Sequence, residues 1–184
     1  QAEDGIRDVR TCLEFRRVLF RSRLGGEDRV RLEEMSVPTR AFRVGVDEAE
    51  WLRVNNSAFA GHGEQGSWDR ETLRRRVNSE WFDPEGFRLH HDEDGLAAFC
   101  WTKVHRATGH DGALGEIYVI AVDPHRAGRG IGARVTAAGL LHLLDRGFHE
   151  VMLFVDESNE AARAMYRSLG FVEHHSDRAM GLSL

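Results

Sequence analysis

In the middle of the chain a β-branched strand leads into a glycine-rich turn and then a helix. Residues 115–122 have the sequence GEIYVIAV, and residues 122–135 have the sequence VDPHRAGRGIGARV, with three alternating glycines. Glycine lets the backbone approach a ligand closely, and the first N–H groups of a helix carry a partial positive charge without an intrahelical partner. The succession therefore predicts an anion site between a buried strand and a helix, suited to a phosphate-bearing cofactor.

The spacing of the glycines speaks against two common phosphate-binding loops. A nucleoside-triphosphatase loop requires Gly-Lys-Ser/Thr, which this stretch lacks. A dinucleotide-binding loop requires G-x-G-x-x-G directly after its strand, whereas Gly128, Gly130 and Gly132 follow a G-x-G-x-G pattern with five residues before the first glycine. A glycine-rich turn without any ligand remains the alternative.

Hydrophobic patterning and turn residues predict the element order β, α, α, β, β, β, α, β, α, β, which is a mixed α/β (α+β) sheet. Asp47 and Glu50 form a capping-box pattern, and Asp69 is a second helix cap. The expected strands are 41–46, 87–91, 96–105, 115–122, 151–155 and 171–175, and the expected helices are 48–60, 70–78, 131–145 and 159–169.

The N-terminal residues lack this regular patterning. Residues 1–22 carry scattered apolar residues among arginines, and the stretch resembles translated sequencing-adapter sequence. We expect 1–36 to be a non-native or disordered segment and connector, in which residues 13–20 could form an adventitious helix. The folded domain is expected to cover 37–184.

Composition narrows the function classes. Lys+Arg total 25 against 30 Asp+Glu, a net charge of −5 without a basic block, which disfavours nucleic-acid binding and suits an amine substrate. No apolar stretch approaches the roughly 20 residues of a membrane span, so we expect a cytoplasmic protein with reduced Cys12 and Cys100. The pairs His90-His91 and His174-His175 do not predict a metal site, because neighbours on a strand point to opposite faces.

Two motifs resemble those of the Gcn5-related N-acetyltransferase (GNAT) superfamily. Gly130 and Gly132 match the family's Gln/Arg-x-x-Gly-x-Gly/Ala motif, with Ala127 in its leading position, and residues 159–171, NEAARAMYRSLGF, match its N-x-x-A…Y-x-x-x-G-F ending. The resemblance implies a GNAT fold, with a mostly antiparallel mixed central sheet flanked by helices. It also implies acetyl-coenzyme A as the cofactor.

A narrower resemblance is to the mycothiol synthases, over about residues 51–175. It rests on VNNSAFAGHGEQGSW, EWFDPEGF, FCWTKVH, LGEIYVIAVDP and MYRSLGF. That family carries two tandem acetyltransferase domains and acetylates the cysteinyl amine of desacetylmycothiol, so the resemblance implies this small-molecule acceptor. An aminoglycoside or other small-amine N-acetyltransferase, and a non-catalytic acyl-coenzyme A-binding fragment, remain alternatives, and a homodimer remains open.

The resemblance assigns roles to individual residues. Glu116 is expected to be the general base and Tyr166 the acid that protonates the leaving thiolate, with the Val122 N–H as oxyanion donor. The expected cofactor-binding residues are Ile120, Ala121, Val122, Ala127, Gly128, Arg129, Gly130, Ile131, Gly132, Ala133, Asn159, Ala162 and Arg163. The expected substrate-binding residues are Glu64, Lys103, Glu116 and Phe154, the last standing where the family has a tyrosine.

Overall fold

The structure is a computed structural model that describes residues 13–61, 65–106 and 112–181, and within them the side chains of residues 17–174. The strands are β1 (Leu13–Arg23), β2 (Arg40–Ala41), β3 (Phe87–Asp92), β4 (Gly95–His105), β5 (Leu114–Val122), β6 (Glu150–Asp156) and β7 (Val172–Gly181). The helices are α1 (Gly26–Met35), α2 (Glu48–Ala58), α3 (Arg70–Val77), α4 (Ile131–Asp145) and α5 (Glu160–Ser168). No helix within these ranges has the length and apolar content needed to cross a bilayer.

The strands form one mixed sheet in the order β2-β3-β4-β5-β6-β1-β7. The pairs are antiparallel except β5 with β6, which run parallel. Parallel neighbours need a crossover connection, and α4 supplies it between β5 and β6. The predicted mixed, mostly antiparallel sheet with flanking helices is confirmed.

The parallel pair β5 and β6 is joined over only three residues of each strand, 115–117 and 151–153. Beyond that point β5 stays paired with β4 as far as Val122, and β6 stays paired with β1 as far as Asp156. The C-terminal halves of β5 and β6 therefore diverge and leave a wedge-shaped opening between them, the strand cleft.

Two apolar cores lie on opposite faces of the sheet. The α4 core packs α1, α4 and α5 against the sheet and includes Ile117, Leu140 and Leu153. The aromatic core packs α2 and α3 against the other face and includes Trp51, Phe87 and Trp101. Because side chains alternate along a strand, each position of β5 and β6 is assigned to one face or the other.

Residues 13–36 do not fit the expected boundary at residue 37. The segment forms β1, which lies between β6 and β7, and α1, which contacts α4. Val18 and Phe20 are 4% and 0% exposed in the α4 core. These two residues are two positions apart, so a strand places both on one face, whereas the expected helix would separate them by about 200°.

The predicted strand 41–46 is also wrong, because only Arg40–Ala41 pair with β3 and the chain then turns. Asp47 begins α2 without a side-chain capping bond. Its carboxylate instead accepts hydrogen bonds from the Arg40 guanidinium at 2.6 and 2.9 Å and from the Arg43 N–H at 2.7 Å. Burial raises the pKa of Asp47, but these bonds outweigh it and lower the pKa to about 2.

Several local predictions are confirmed. Asp69 caps α3 by accepting a hydrogen bond from the Thr72 N–H at 2.7 Å. The predicted helix 159–169 forms as α5, with Asn159 as its cap through the Ala162 N–H at 3.0 Å and not as its first residue. The hairpin of β3 and β4 turns where the Asp-Gly pair predicts it, with Gly95 at a φ of 112°. The long helix α4 has the predicted bounds.

Candidate active site

Glu116 lies at the closed end of the strand cleft, in the short segment where β5 and β6 still pair. It is 8% exposed, and its neighbour Ile117 packs in the α4 core, so the glutamate side chain lies on the aromatic-core face. Its Oε2 atom is 2.6 Å from Nε2 of His105, a residue near the end of β4. The site therefore holds a nearly buried carboxylate with one hydrogen-bond partner among the residues that the structure describes.

An aromatic residue, Tyr118, lies on the same face as this carboxylate, at a β-bulge. The β4–β5 register shifts between Trp101 and Thr102, leaving Tyr118 as an extra residue on β5. Tyr118 is two positions from Glu116, so alternation places both on the aromatic-core face, and the extra residue puts Val119 on that face as well. Burial raises the pKa of Tyr118, while the charge and hydrogen bond of Arg76 partly oppose that shift.

Lys103 lies on the same face and is held by aromatic rings. Its Nζ atom is 5.0 Å from the ring centre of Trp81 and 5.5 Å from that of Tyr118. The two rings meet edge to face at 5.1 Å. A cation over aromatic faces gains roughly 0.5–2 kcal/mol, so the ammonium has a defined position near Glu116.

The glycine loop follows the open end of β5. Gly128 and Gly130 have φ values of 80° and 72°, and a Cβ added to either would meet nothing within 4 Å. Gly130 is the residue before α4, and its left-handed conformation turns the chain into the helix. Open space around the backbone and the unpaired N–H groups at the helix start form a suitable cradle for a phosphate.

Backbone groups of β5 line the strand cleft next to this loop. The Asp123 N–H donates to the Ala97 carbonyl at 2.8 Å, on the β4 side. Because successive residues of a strand alternate, the backbone groups of Val122 and Ile120 point the other way, into the cleft. Ala121 has the opposite orientation and its side chain packs in the aromatic core.

Arg126 precedes Ala127, the leading position of the GNAT motif, and its side chain forms ion pairs within the protein. Its guanidinium donates to Asp92 at 2.6 and 2.9 Å and to Asp123 at 3.2 Å. Asp123 is fully buried and also accepts a hydrogen bond from Arg53. This network anchors the start of the glycine loop, which leaves backbone groups and the exposed Arg129 to meet a phosphate.

Tyr166 lies on α5, on the opposite face of the sheet from Glu116. It is 4% exposed in the α4 core, with its ring 6.2 Å from that of Phe20 and 6.0 Å from that of Phe171. Burial first, and the nearby Cys100 second, raise the pKa of its phenol. A phenol with a raised pKa keeps its proton at neutral pH and can serve as an acid.

The middle of α5 contacts the first turn of α4, at the last glycine of the loop. A Cβ added to Gly132 would lie 3.3 Å from Sδ of Met165 and 3.5 Å from the side chain of Val122, so α4, α5 and the end of β5 meet there. Asn159 is engaged as the helix cap, and the Arg163 guanidinium donates to Glu173 and Glu160. The side chains of Asn159 and Arg163 therefore form hydrogen bonds within the protein.

Phe154 is 40% exposed on β6, beyond the last residue that pairs with β5. The buried Leu153 and Val155 belong to the α4 core, so Phe154 lies on the same face as Glu116. Glu64 lies outside the residues that the structure describes. The structure thus brings Glu116, Lys103 and Phe154 to one face and Tyr166 to the other.

Three residues of this site were not predicted from the sequence: His105, Tyr118 and Trp81. His105 follows Lys103 by two residues on a predicted strand, so the two were expected to share a face. That alternation could have identified His105. Tyr118 follows Glu116 by two residues, so the same alternation could have identified it, whereas the approach of Trp81 depends on tertiary contacts and had no comparable signal.

Comparison with known proteins assigns the fold to a family. The profile of the acetyltransferase (GNAT) family matches residues 49–171, about two thirds of the chain. The chain belongs to the GNAT acetyltransferase family. A solved GNAT structure from Sphaerobacter thermophilus aligns with a TM-score of 0.64 at 23% identity, covering 92% of this chain and 53% of that one, which supports the same fold.

This GNAT chain is also similar to proteins named mycothiol acetyltransferase. The one from Thermobispora bispora is 53% identical over 136 residues, which are 73% of this chain and 46% of the relative. The one from Kocuria rhizophila is 45% identical over 179 residues, 94% of this chain and 57% of the relative. The chain therefore spans about half the length of these relatives.

Proposed function

We propose that this chain transfers the acetyl group of acetyl-coenzyme A to a primary amine of a small molecule, with the cysteinyl amine of desacetylmycothiol as the acceptor. The observation that carries the proposal is the strand cleft, with Glu116 at its closed end and the glycine loop at its open end. The similarity to proteins named mycothiol acetyltransferase supports this choice of acceptor.

The cleft and the glycine loop suit a long cofactor with a phosphate. Backbone N–H groups of residues 127–133 would bind the pyrophosphate, and the backbone of Ile120 and Val122 would pair with the pantetheine arm as an added strand does. Ala162, in the first turn of α5, is also proposed as a cofactor contact on the basis of the family resemblance, while Asn159 and Arg163 support that helix end through their own bonds.

Bound acetyl-coenzyme A supplies a thioester, from which the amine nitrogen takes the acetyl group as the carbon–sulfur bond breaks. Glu116 accepts the proton that the ammonium must lose before its nitrogen can attack. The Val122 N–H, directed into the cleft, donates to the oxygen on which negative charge develops. The net products are an amide, a free thiol and one proton.

Tyr166 supplies the proton for the departing sulfur. Its phenol is protonated at neutral pH, as an ordinary tyrosine is, and burial raises its pKa further. The tyrosine and Glu116 lie on opposite faces of the sheet, and the strand cleft connects those faces. An amine can thus approach from the aromatic-core face while the thiol leaves toward α5.

The acceptor would occupy the aromatic-core face. Lys103, fixed over the Trp81 and Tyr118 rings, would donate hydrogen bonds to hydroxyl or carbonyl oxygens of the acceptor. Phe154 would contribute an apolar contact at the other side of the cleft. Glu64 is also proposed as an acceptor contact, on the basis of the family resemblance.

The test is thiol release from acetyl-coenzyme A with desacetylmycothiol, or with kanamycin as an amino-sugar comparison. We expect release with desacetylmycothiol, and a fall in kcat/KM of about 10²-fold or more in Glu116→Gln, the scale of general-base loss. Glu93→Gln, the same change at an exposed turn residue, is the matched control.

Other outcomes would identify the alternatives. Faster release with kanamycin would assign the chain to aminoglycoside acetylation. Stabilisation by acetyl-coenzyme A without thiol release from any amine would indicate a non-catalytic binding protein. A fully active Glu116→Gln variant would remove Glu116 from the reaction.

A further inference from the structure

Glu116 and Lys103 are direct partners across β4 and β5, yet their charges do not meet. The register aligns their Cα atoms, and opposite charges at such positions attract by roughly 0.2–1 kcal/mol. Within the described residues, no ion pair joins them. The lysine ammonium lies over aromatic rings instead.

His105 provides the contact that Lys103 does not. Its Nε2 atom is 2.6 Å from Oε2 of Glu116. An ionised carboxylate can only accept a hydrogen bond, so the imidazole must carry the proton at Nε2. Oε1 of Glu116 accepts no hydrogen bond from the described residues, which leaves it available to a ligand.

The position of His105 on β4 explains this arrangement. Trp101, Lys103 and His105 alternate along the strand and share the aromatic-core face. The His105 side chain is 35% exposed and that of Glu116 is 10% exposed. The imidazole is thus the more exposed member of this hydrogen-bonded pair.

We propose that His105 is a positioning residue for Glu116. Its Nε2–H bond holds Oε2, keeps the carboxylate from turning onto the Lys103 ammonium, and leaves Oε1 for the proton of the amine. Contact with the ammonium would stabilise the ionised carboxylate and weaken it as a base. The proposal rests on the proposed function, in which Glu116 is the base, and it adds the means by which two neighbouring opposite charges keep separate roles.

The first test compares His105→Phe with His105→Gln, using thiol release at saturating desacetylmycothiol. The phenylalanine lacks the donor, so kcat should fall about 10- to 100-fold, part of the general-base contribution. The glutamine keeps an N–H donor and should retain most of kcat, while KM for acetyl-coenzyme A stays unchanged in both. Equal losses in the two variants, or no loss in either, would overturn the proposal.

Removal of Lys103 provides the decisive comparison. If His105 acts by keeping Glu116 from the lysine, His105→Phe combined with Lys103→Met should recover at least threefold in kcat over His105→Phe alone. A double variant no faster than that single variant would contradict the mechanism. Saturating acceptor separates this effect from the binding role of Lys103, and His90→Phe, on β3, is the control for loss of a histidine.

A measurement without turnover separates this proposal from the proposed function. In the ¹⁵N-histidine-labelled chain, the His105 Nε2 proton should give a downfield resonance that is lost in Glu116→Ala and retained in Lys103→Met. An unchanged resonance in Glu116→Ala would refute the contact. If no amine supports thiol release, the proposed function fails and this spectrum alone decides whether His105 holds Glu116.

Discussion

Truncation of Phe20 is expected to destabilise the whole domain, because this residue anchors β1 in the α4 core. The ring is 0% exposed and lies 6.2 Å from the Tyr166 ring. Replacing a buried phenylalanine with alanine costs about 3–5 kcal/mol through lost burial and the cavity left behind. A typical domain has only about 5–15 kcal/mol of stability in total, so Phe20→Ala should remove a large share.

The assay is urea unfolding followed by tryptophan fluorescence, with a thermal melt in parallel. For a chain of this size each kcal/mol shifts Tm by about 2–4 °C, so a fall of roughly 6–20 °C is expected. Arg21→Ala is the matched control, because Arg21 is the next residue of β1 and is exposed. Its effect should stay within about 0.5 kcal/mol.

Equal stability of the Phe20→Ala and Arg21→Ala variants would refute the argument. It would mean that β1 does not lie between β6 and β7 in solution, and that the domain is held together without residues 13–23. The same result would restore the expectation that the N-terminal segment lies outside the fold.

Substitutions at three further residues test the site and the fold. Tyr166→Phe should slow turnover about 10²-fold with little loss of stability, whereas Tyr166→Ala should cost about 3–5 kcal/mol; unchanged turnover in the phenylalanine variant, with chemistry rate-limiting, would leave water as the acid. Gly130→Ala should cost about 1–2 kcal/mol, because φ is 72° there, and should weaken acetyl-coenzyme A binding in calorimetry; Gly26→Ala, without a positive φ, should do neither. Asp47→Asn should destabilise the fold by about 2 kcal/mol at neutral pH. Because the folded pKa of Asp47 is lowered from 3.8 to about 2, this difference should be present above pH 4 and disappear as the pH falls toward 2, and a pH-independent difference in urea unfolding would contradict it.

Local sequence patterns determined the parts of the structure that depend on neighbouring residues. The helix α4, the cap at Asn159, the hairpin turn at Gly95 and the glycine loop all follow from residues within a few positions of one another. Such signals survive because the backbone conformation of a cap, turn or amphipathic helix is decided by short-range sterics and hydrogen bonds. The same patterns, together with the family resemblance, selected Glu116 and Tyr166.

Only the tertiary structure decided where the strand β1 belongs and how the site is assembled. β1 pairs with β6 and β7, more than 120 residues away along the chain, so its own weak pattern could not reveal the pairing. The early separation of β5 from β6 is likewise a property of the whole sheet.

The arrangement around Glu116 has the same origin. The Trp81 and Tyr118 rings hold the Lys103 ammonium apart from its cross-strand partner Glu116. Glu116 contacts His105 instead of Lys103. The family resemblance indicated an acid, a base and a cation, but the strand register decided which of them meet, because a shift of one residue reverses the face of every side chain that follows.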